Sequence, residues 1–401
     1  RSPHFASVIP PGIMKIVHIS VTPVAGSPGN IVSALNRLTD LSARHIVFNP
    51  GAYGTRTFAC DLDWRTRQAE ALEVLAEAEV IHLHQFFSLD DTFGLDFKQR
   101  FGDKKIIRQF HSAPDIWAGA ETEIARDDTP QLVIAQGPER FYPKARVVPN
   151  IVPLYDPRYL PAAEAEGLPV IAYSPSGKTS AWRKRWETKG APQTLALLRK
   201  LERAGLCRVQ LLMNMPHDPC LRAKQTAAIT IDECVTGNYH LSGLEALSQG
   251  KPTLGYLDHR VQSQLRHLTG ALDLPWLDVR LEEAEPVLRD LLADAALRAE
   301  IGIASRAWME TYYDERKMVE HYRQAYLDLI HAPERFHHPR QPRLGSAKER
   351  WQAVALPDYC WAARKQASSP WRKIEKKLIG VGAWLKRLRH VKHAKSGKLR
   401  P

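Results

Sequence analysis

Residues 229–258 read ITIDECVTGNYHLSGLEALSQGKPTLGYLD, which places a strand, a glycine-bearing turn, a short helix and a second strand within a few tens of residues. Residues 229–232 are a short β-branched run. Thr236, Gly237 and Asn238 supply turn and cap chemistry, and Leu241, Leu244, Ala246 and Leu247 form one apolar helical face. Gly250, Lys251 and Pro252 stop that helix, and 253–257 is the next strand. This order predicts a parallel crossover unit and hence an α/β fold. A glycine turn opening a short helix offers backbone N–H groups and a positive dipole end to an anion such as a diphosphate. Glu245, one turn into that helix, is placed to accept hydrogen bonds from a ribose.

The stretch resembles the donor-site signature of retaining glycosyltransferases with the GT-B fold, in particular glycosyltransferase family four. That signature has two glutamates separated by seven residues, followed by Ala, a small residue, Gly and Pro-Val. Glu245-Ala246 and Gly250-Lys251-Pro252-Thr253 match its second half, whereas Gly237 stands where the first glutamate would be. The resemblance implies that Gly237, Asn238, Tyr239, His240, Leu241 and Glu245 bind a nucleotide sugar. The missing glutamate is the one the family associates with the sugar itself. Read without the resemblance, the segment is an ordinary turn of a doubly wound sheet.

Composition bounds the alternatives. The chain has 401 residues, 44% hydrophobic and 25% charged, long enough for two domains with proper cores. Its net charge of +12 is unevenly distributed: residues 331–401 carry 18 Lys+Arg against 4 Asp+Glu, leaving 38 against 40 in residues 1–330. The five cysteines are scattered without close pairs, as expected of a reducing compartment and not of a zinc framework. No run approaches the ~18 apolar residues of a transmembrane helix. Residues 1–13 read as a disordered leader.

The first domain is expected over 14–152. Residues 15–21, KIVHISV, form a buried-type strand feeding a loop with Gly26 and Gly29, then a helix over 30–38. The family's glycine-rich loop approaches the donor phosphates here, and Gly26 and Gly29 are similar to it. Further strands are expected at 44–49, 79–84, 104–111, 132–135 and 146–149. Asp61-Leu62-Asp63 invites a metal reading but directly precedes a helix over 64–78, so the aspartates read as caps. His82 and His84 share one side of their strand. They read as strand histidines, since no carboxylate or cysteine cluster completes a metal set. His111 ends its strand at the edge where doubly wound sheets bind ligands, and the resemblance gives it a place beside the donor sugar.

Residues 153–169 are a proline-rich linker, and the second domain runs over 170–330. After a strand at 170–174 come Gly177, Lys178, Arg183, Lys184, Arg185 and Lys189-Gly190, then a helix over 191–204. Such cations are suited to neutralising a departing nucleoside diphosphate. The family has an Arg and a Lys here, the Lys directly before Gly. Lys189 matches that lysine, and Lys178, Arg183 and Arg185 all remain candidates for the arginine. Residues 208–213 read as a core strand, with a loop over 214–219 facing the nucleobase. Helices are expected over 282–293, 297–311 and 314–330, the last crossing back to the first domain.

Beyond it lies a basic tail, 331–401. Within it Trp371, Ile374, Leu378, Val381, Leu385 and Leu388 form an apolar stripe opposite lysines and arginines. An amphipathic helix over 371–391 with that composition suits an anionic membrane surface, with protein docking as the alternative. Pure nucleic-acid binding needs no apolar stripe.

The expected architecture is therefore two Rossmann-like domains in the GT-B arrangement with an interdomain cleft, plus a basic helical tail. The resemblance implies a metal-independent, anomer-retaining hexosyltransferase without cofactor. It would transfer sugar from a nucleotide-diphosphate donor to a glycan or lipid-linked acceptor, in polysaccharide or lipopolysaccharide synthesis at the cytoplasmic membrane face. An inactive scaffold and a nucleotide-sugar epimerase of the same fold are the alternatives.

Overall fold

The computed structural model describes residues 13–54, 57–90, 94–114, 124, 127–175 and 185–336. The leader, the loop carrying Gly177, Lys178 and Arg183, and the amphipathic stretch 371–391 lie outside the described residues. The two sheets below belong to one compact unit, residues 1–113 with 128–341.

The first lobe holds β1 (Lys15–Ser20), α1 (Ser27–Leu38), β2 (Ser42–Val47), β3 (Leu62–Asp63), α2 (Gln68–Glu77), β4 (Val80–His84), α3 (Phe97–Phe101), β5 (Lys105–Phe110), β6 (Gln131–Ile134) and β7 (Arg146–Val148). Its strands pair in parallel in the order β3-β2-β1-β4-β5-β6-β7. The second lobe holds β8 (Val170–Tyr173), α4 (Arg185–Thr188), α5 (Ala191–Arg203), β9 (Arg208–Leu211), α6 (His217–Gln225), β10 (Ile229–Ile231), α7 (Leu241–Ser248), β11 (Thr253–Gly255), α8 (His259–Thr269), β12 (Leu277–Asp278), α9 (Ala284–Ala293), α10 (Ala295–Tyr312) and α11 (Glu315–His331). Its parallel sheet runs β12-β11-β10-β8-β9. Two such doubly wound lobes in one chain constitute the GT-B architecture. Each sheet reverses its winding once, between β1 and β4 and between β8 and β10, and those crevices are where the fold offers ligand sites.

Buried apolar runs explain the strands: β1, β4, β6 and β8 are buried nearly end to end, as strands covered on both faces must be. One core cluster spans both lobes, joining Ile16, Leu35 and Val80 to Leu244 and Leu247 of α7 and to Tyr322 and Tyr326 of α11. Each such side chain contributes roughly 1.5–3 kcal/mol by leaving water. Helix α11 starts at an Asp314 cap, whose carboxylate accepts the Arg316 N–H. It returns to the first lobe, where Tyr326 meets His82 at 2.7 Å.

Three expectations change. The aspartates near residue 62 do not cap α2. Leu62 and Asp63 form a short edge strand on β2, Asp61 pairs with Arg44 at 2.7 Å, and α2 begins only after Arg67. Strand β9 is not a core strand; it closes the edge of its sheet, with Arg208, Gln210 and Leu211 exposed. Helix α1 begins at Ser27, so Gly29 lies within it and not in the preceding loop. No described helix is long and apolar enough to cross a membrane.

Candidate active site

An open pocket of about 200 Å³ lies where the lobes face each other. Its walls come from the loops after β8 (Ser174, Pro175) and β9 (Leu212 to Met215), from α6 and from the first turns of α7. The first lobe contributes Ala25 and Phe58. A backbone bond from the His217 N–H to Thr57 O, 3.1 Å, ties the lobes at its base. The placement follows the topology, since the second sheet reverses its winding between β8 and β10, and the loop after β8 and the helix that follows β10 both line this wall.

Glu245 lines the pocket, but its carboxylate already has partners. One oxygen accepts from His217 Nε2 at 2.7 Å and the other from Lys224 Nζ, a side chain that is itself 3% exposed. Burial pushes the Glu245 carboxyl up, and the Lys224 ammonium, followed by His217, overcomes that and holds it at about 2. Lys224 also reaches Ser242 Oγ at 3.2 Å on the first turn of α7. A nucleoside entering here meets a fixed carboxylate–ammonium–imidazole group, not an isolated acceptor. Sequence reading missed Lys224, which sits in an unremarkable amphipathic helix, while His217 falls in the loop expected to face a nucleobase.

A second polar group sits at the start of α7. Asp232, at the end of β10, accepts the His240 N–H and faces His240 Nδ1, both at 2.9 Å. His240 Nε2 in turn contacts Lys189 Nζ. Lys189 has a left-handed backbone, φ 53, immediately before the left-handed Gly190 that opens α5. A non-glycine residue held there stores about 1–3 kcal/mol of strain, which the surrounding contacts must sustain. Lysine, imidazole and carboxylate are thus aligned beside a helix N-terminus, a combination able to hold an anion and to pass a proton. Asp232 carried no signal in the sequence beyond its place at a strand end.

The turn before α7 explains the absent glutamate. Gly237 has φ +78, and a Cβ there would lie 2.7 Å from Asp258 Cβ. Glu233 organises the turn instead, its carboxylate accepting from the backbone of Val235 and Thr236 and from the Thr236 hydroxyl. Asn238 Oδ1 accepts from Arg140 of the first lobe at 3.1 Å, against Gly137, where any side chain would collide with it. Tyr239 is 1% exposed and packs on Trp276 with ring centroids 5.1 Å apart. Of the predicted donor-binding residues, the structure therefore brings His240, Leu241 and Glu245 to the pocket region. It sets Asn238 between the lobes and Tyr239 in the core. Gly26, left-handed at φ +82, caps α1 next to Ala25 of the pocket wall and close to the Phe58 ring. Arg185 pairs with Glu282 and is not among the residues lining the pocket.

His111 is half-buried at the carboxyl end of β5 and leads a row of histidines. Its Nε2 contacts His84 Nδ1 at 2.8 Å, and His84 Nε2 contacts His18 Nδ1 at 2.9 Å. Here the reading of His82 and His84 as an incomplete pair is corrected: the parallel register sets His18 of β1 opposite His82, giving three imidazoles with ligand atoms within 4.8 Å of one another. Their number suits a metal, but their geometry does not. His82 and His84 stack at 4.4 Å with planes 17° apart, so their in-plane lone pairs run side by side and do not converge. Burial lowers the proton affinity of all four rings far enough to keep them neutral at pH 7.

No family model and no curated protein matches the chain. Among solved structures, the sucrose-phosphate synthase of Thermosynechococcus elongatus is similar at 15% identity and a TM-score of 0.48, covering 80% of this chain and 100% of that one. HepE of Anabaena, solved with UDP-glucose, is similar at 13% identity and a TM-score of 0.49, covering 79% of this chain and 100% of its own. The catalytic domain of starch synthase IV from Arabidopsis thaliana, solved with ADP and acarbose, is similar at 11% identity and a TM-score of 0.48, covering 80% and 100%.

Proposed function

We propose that this protein transfers a glycosyl group from a nucleotide-diphosphate sugar. The observation that carries the reading is the interlobe pocket at the crossing point of the second sheet, where the start of α7, Glu245 and the loops after β8 and β9 meet. In this reading the nucleoside lies against Met213 to Met215, His217 and the Glu245–Lys224 pair. The diphosphate sits at the N-terminus of α7 beside Lys189, while His111 faces the sugar from the first lobe.

The step is a front-face displacement that retains the anomeric configuration without a metal. The bond from the anomeric carbon to the diphosphate oxygen breaks, and the acceptor hydroxyl oxygen bonds to that carbon from the same face. The hydroxyl proton passes to the departing phosphate oxygen. Lys189 and the α7 dipole stabilise the charge that develops there. Closure of the cleft excludes water. The acceptor is a glycan or lipid-linked sugar, met at an anionic membrane surface through residues 371–391. Incubation with UDP-, GDP- and ADP-sugars and a lipid-linked oligosaccharide fraction tests this. Nucleoside diphosphate release coupled to a product of unchanged anomeric configuration supports it, and an inverted product overturns the mechanism.

A second reading, a donor-binding scaffold without turnover, is favoured by Gly237, whose backbone leaves no room for a glutamate, and by the occupied carboxylate of Glu245. Saturable donor binding with neither transfer nor hydrolysis would select it.

A further inference from the structure

The row of histidines behind His111 continues through the first lobe and ends on a backbone carbonyl. Tyr322 Oη donates to Pro149 O at 2.7 Å. A backbone carbonyl only accepts, so the direction of this bond is fixed. With its proton committed, the Tyr322 oxygen can only accept from Gln109, and Gln109 Nε2 donates to it at 3.0 Å. That orients the carboxamide and leaves Gln109 Oε1 buried with its lone pairs unused. His82 Nε2 is likewise buried without a bonded partner. The β4–β5 register sets Gln109 beside His84, on the sheet face that also carries His82, and its effect on His82 is to favour a proton on the ring.

From His82 each group has one atom for each neighbour. His82 Nδ1 meets Tyr326 Oη at 2.7 Å, and Tyr326 Oη meets His18 Nε2 at 3.2 Å. His18 Nδ1 meets His84 Nε2 at 2.9 Å, and His84 Nδ1 meets His111 Nε2 at 2.8 Å. A neutral imidazole has one N–H and one bare nitrogen, so the direction of one bond dictates the direction of the next. If His82 Nε2 carries its proton toward Gln109, then His82 Nδ1 accepts from Tyr326, Tyr326 accepts from His18, His18 accepts from His84, and His84 accepts from His111. The opposite polarity would point a bare His82 nitrogen at the lone pairs of Gln109 Oε1, a buried repulsion with no water to relieve it.

We infer that this line, anchored at Pro149 and relayed by Tyr322, Gln109, His82, Tyr326, His18 and His84, holds His111 as the Nε2–H tautomer, so that its Nδ1 is a bare acceptor at the carboxyl end of β5. His111 therefore recognises a hydrogen-bond donor, such as a hydroxyl, and disfavours an acceptor in the same place. His18, His82, His84, Gln109, Tyr322 and Tyr326 are positioning residues that act through it. The link to a sugar hydroxyl rests on the glycosyl-transfer reading; the polarity of the line does not. Helix α11 thereby sets the hydrogen-bonding sense of a residue in the first lobe.

The test is long-range proton–nitrogen correlation NMR on protein labelled with ¹⁵N-histidine, at neutral pH and without ligand. The expected spectrum shows His18, His82, His84 and His111 all neutral and all Nε2–H. Tyr326→Phe removes the one hydroxyl that joins the two halves of the line. It should leave His82 as Nε2–H and make His111 a mixture of tautomers. Gln109→Leu should release all four, and the unaltered protein gives the primary answer if either variant fails to fold. Four Nδ1–H rings, a charged His111, or a His111 signal unmoved in a folded Tyr326→Phe protein would overturn the inference. Addition of UDP-glucose, GDP-mannose or ADP-glucose then separates the two claims. A tautomer pattern as described with no ligand perturbing His111 leaves the relay standing and removes the sugar-binding role.

Discussion

Removing Lys224 should show how much of the second lobe depends on the charge group under the pocket. Lys224 and Glu245 have side chains 3% and 5% exposed, so their attraction is little screened by solvent. The Glu245 carboxyl, held at about 2 instead of 4.5, corresponds to about 3 kcal/mol of stability at 1.36 kcal/mol per tenfold change in proton affinity. Because the folded value lies below the unfolded one, this contribution is complete above about pH 4.5 and is lost as the pH falls toward 2. Lys224→Met leaves the carboxylate buried with only His217 and should cost about 3–5 kcal/mol at pH 7. Glu245→Leu strands the ammonium and should cost a similar amount. The double variant replaces the pair by apolar groups of similar volume and should lie within about 1–2 kcal/mol of the parent, a coupling of at least about 4 kcal/mol. Urea denaturation of all four proteins at pH 7 measures this, and the same series at pH 3 should show the coupling shrinking. Single costs that simply add in the double variant would refute the reasoning.

Gly237→Glu, which restores the family's first glutamate, should destabilise by about 1–3 kcal/mol and weaken nucleotide binding, because φ +78 and the approach to Asp258 oppose any side chain; a gain of transferase activity would contradict this. Asp232→Asn keeps the bond to the His240 N–H within reach but weakens the pull on Nδ1. It should lower turnover at least tenfold with little change in melting temperature, read by donor turnover and calorimetry. Arg140→Ala removes the bonds to Asn238 and Asp258 between the lobes, both partly exposed, and should cost only about 1 kcal/mol while raising the nucleotide dissociation constant several-fold. Truncation after residue 336 should abolish co-sedimentation with vesicles of anionic lipid and leave nucleotide binding intact; retained co-sedimentation would remove the membrane role of 371–391.

What was legible in the sequence is what short-range patterning encodes. The strand–turn–helix of 229–248 falls where its apolar and turn residues put it, because α7 buries Leu244, Ala246 and Leu247 and stops before Gly250. Asp314 caps its helix because an aspartate before an amphipathic run has that local use. Illegible were features created by register and by loops meeting. His18 joins His82 only because β1 and β4 pair in one particular alignment. Lys224 finds Glu245 across two elements, and neither end signals the other. The Asp61-Leu62-Asp63 misreading has a related cause: a short edge strand is too brief for alternation to show. The family resemblance set Tyr239 in a donor loop, yet its ring fills a core position against Trp276.

The central claim is that the interlobe pocket holds a nucleoside diphosphate. Calorimetric titration of the protein with UDP, GDP, ADP and CMP, repeated on Lys189→Ala and on Glu245→Ala, tests it most directly. The account predicts selective binding of one nucleoside diphosphate, with CMP weak, and loss of that binding by tenfold or more in both variants. Binding by none of the four to demonstrably folded protein, or binding unchanged in both variants, would contradict it.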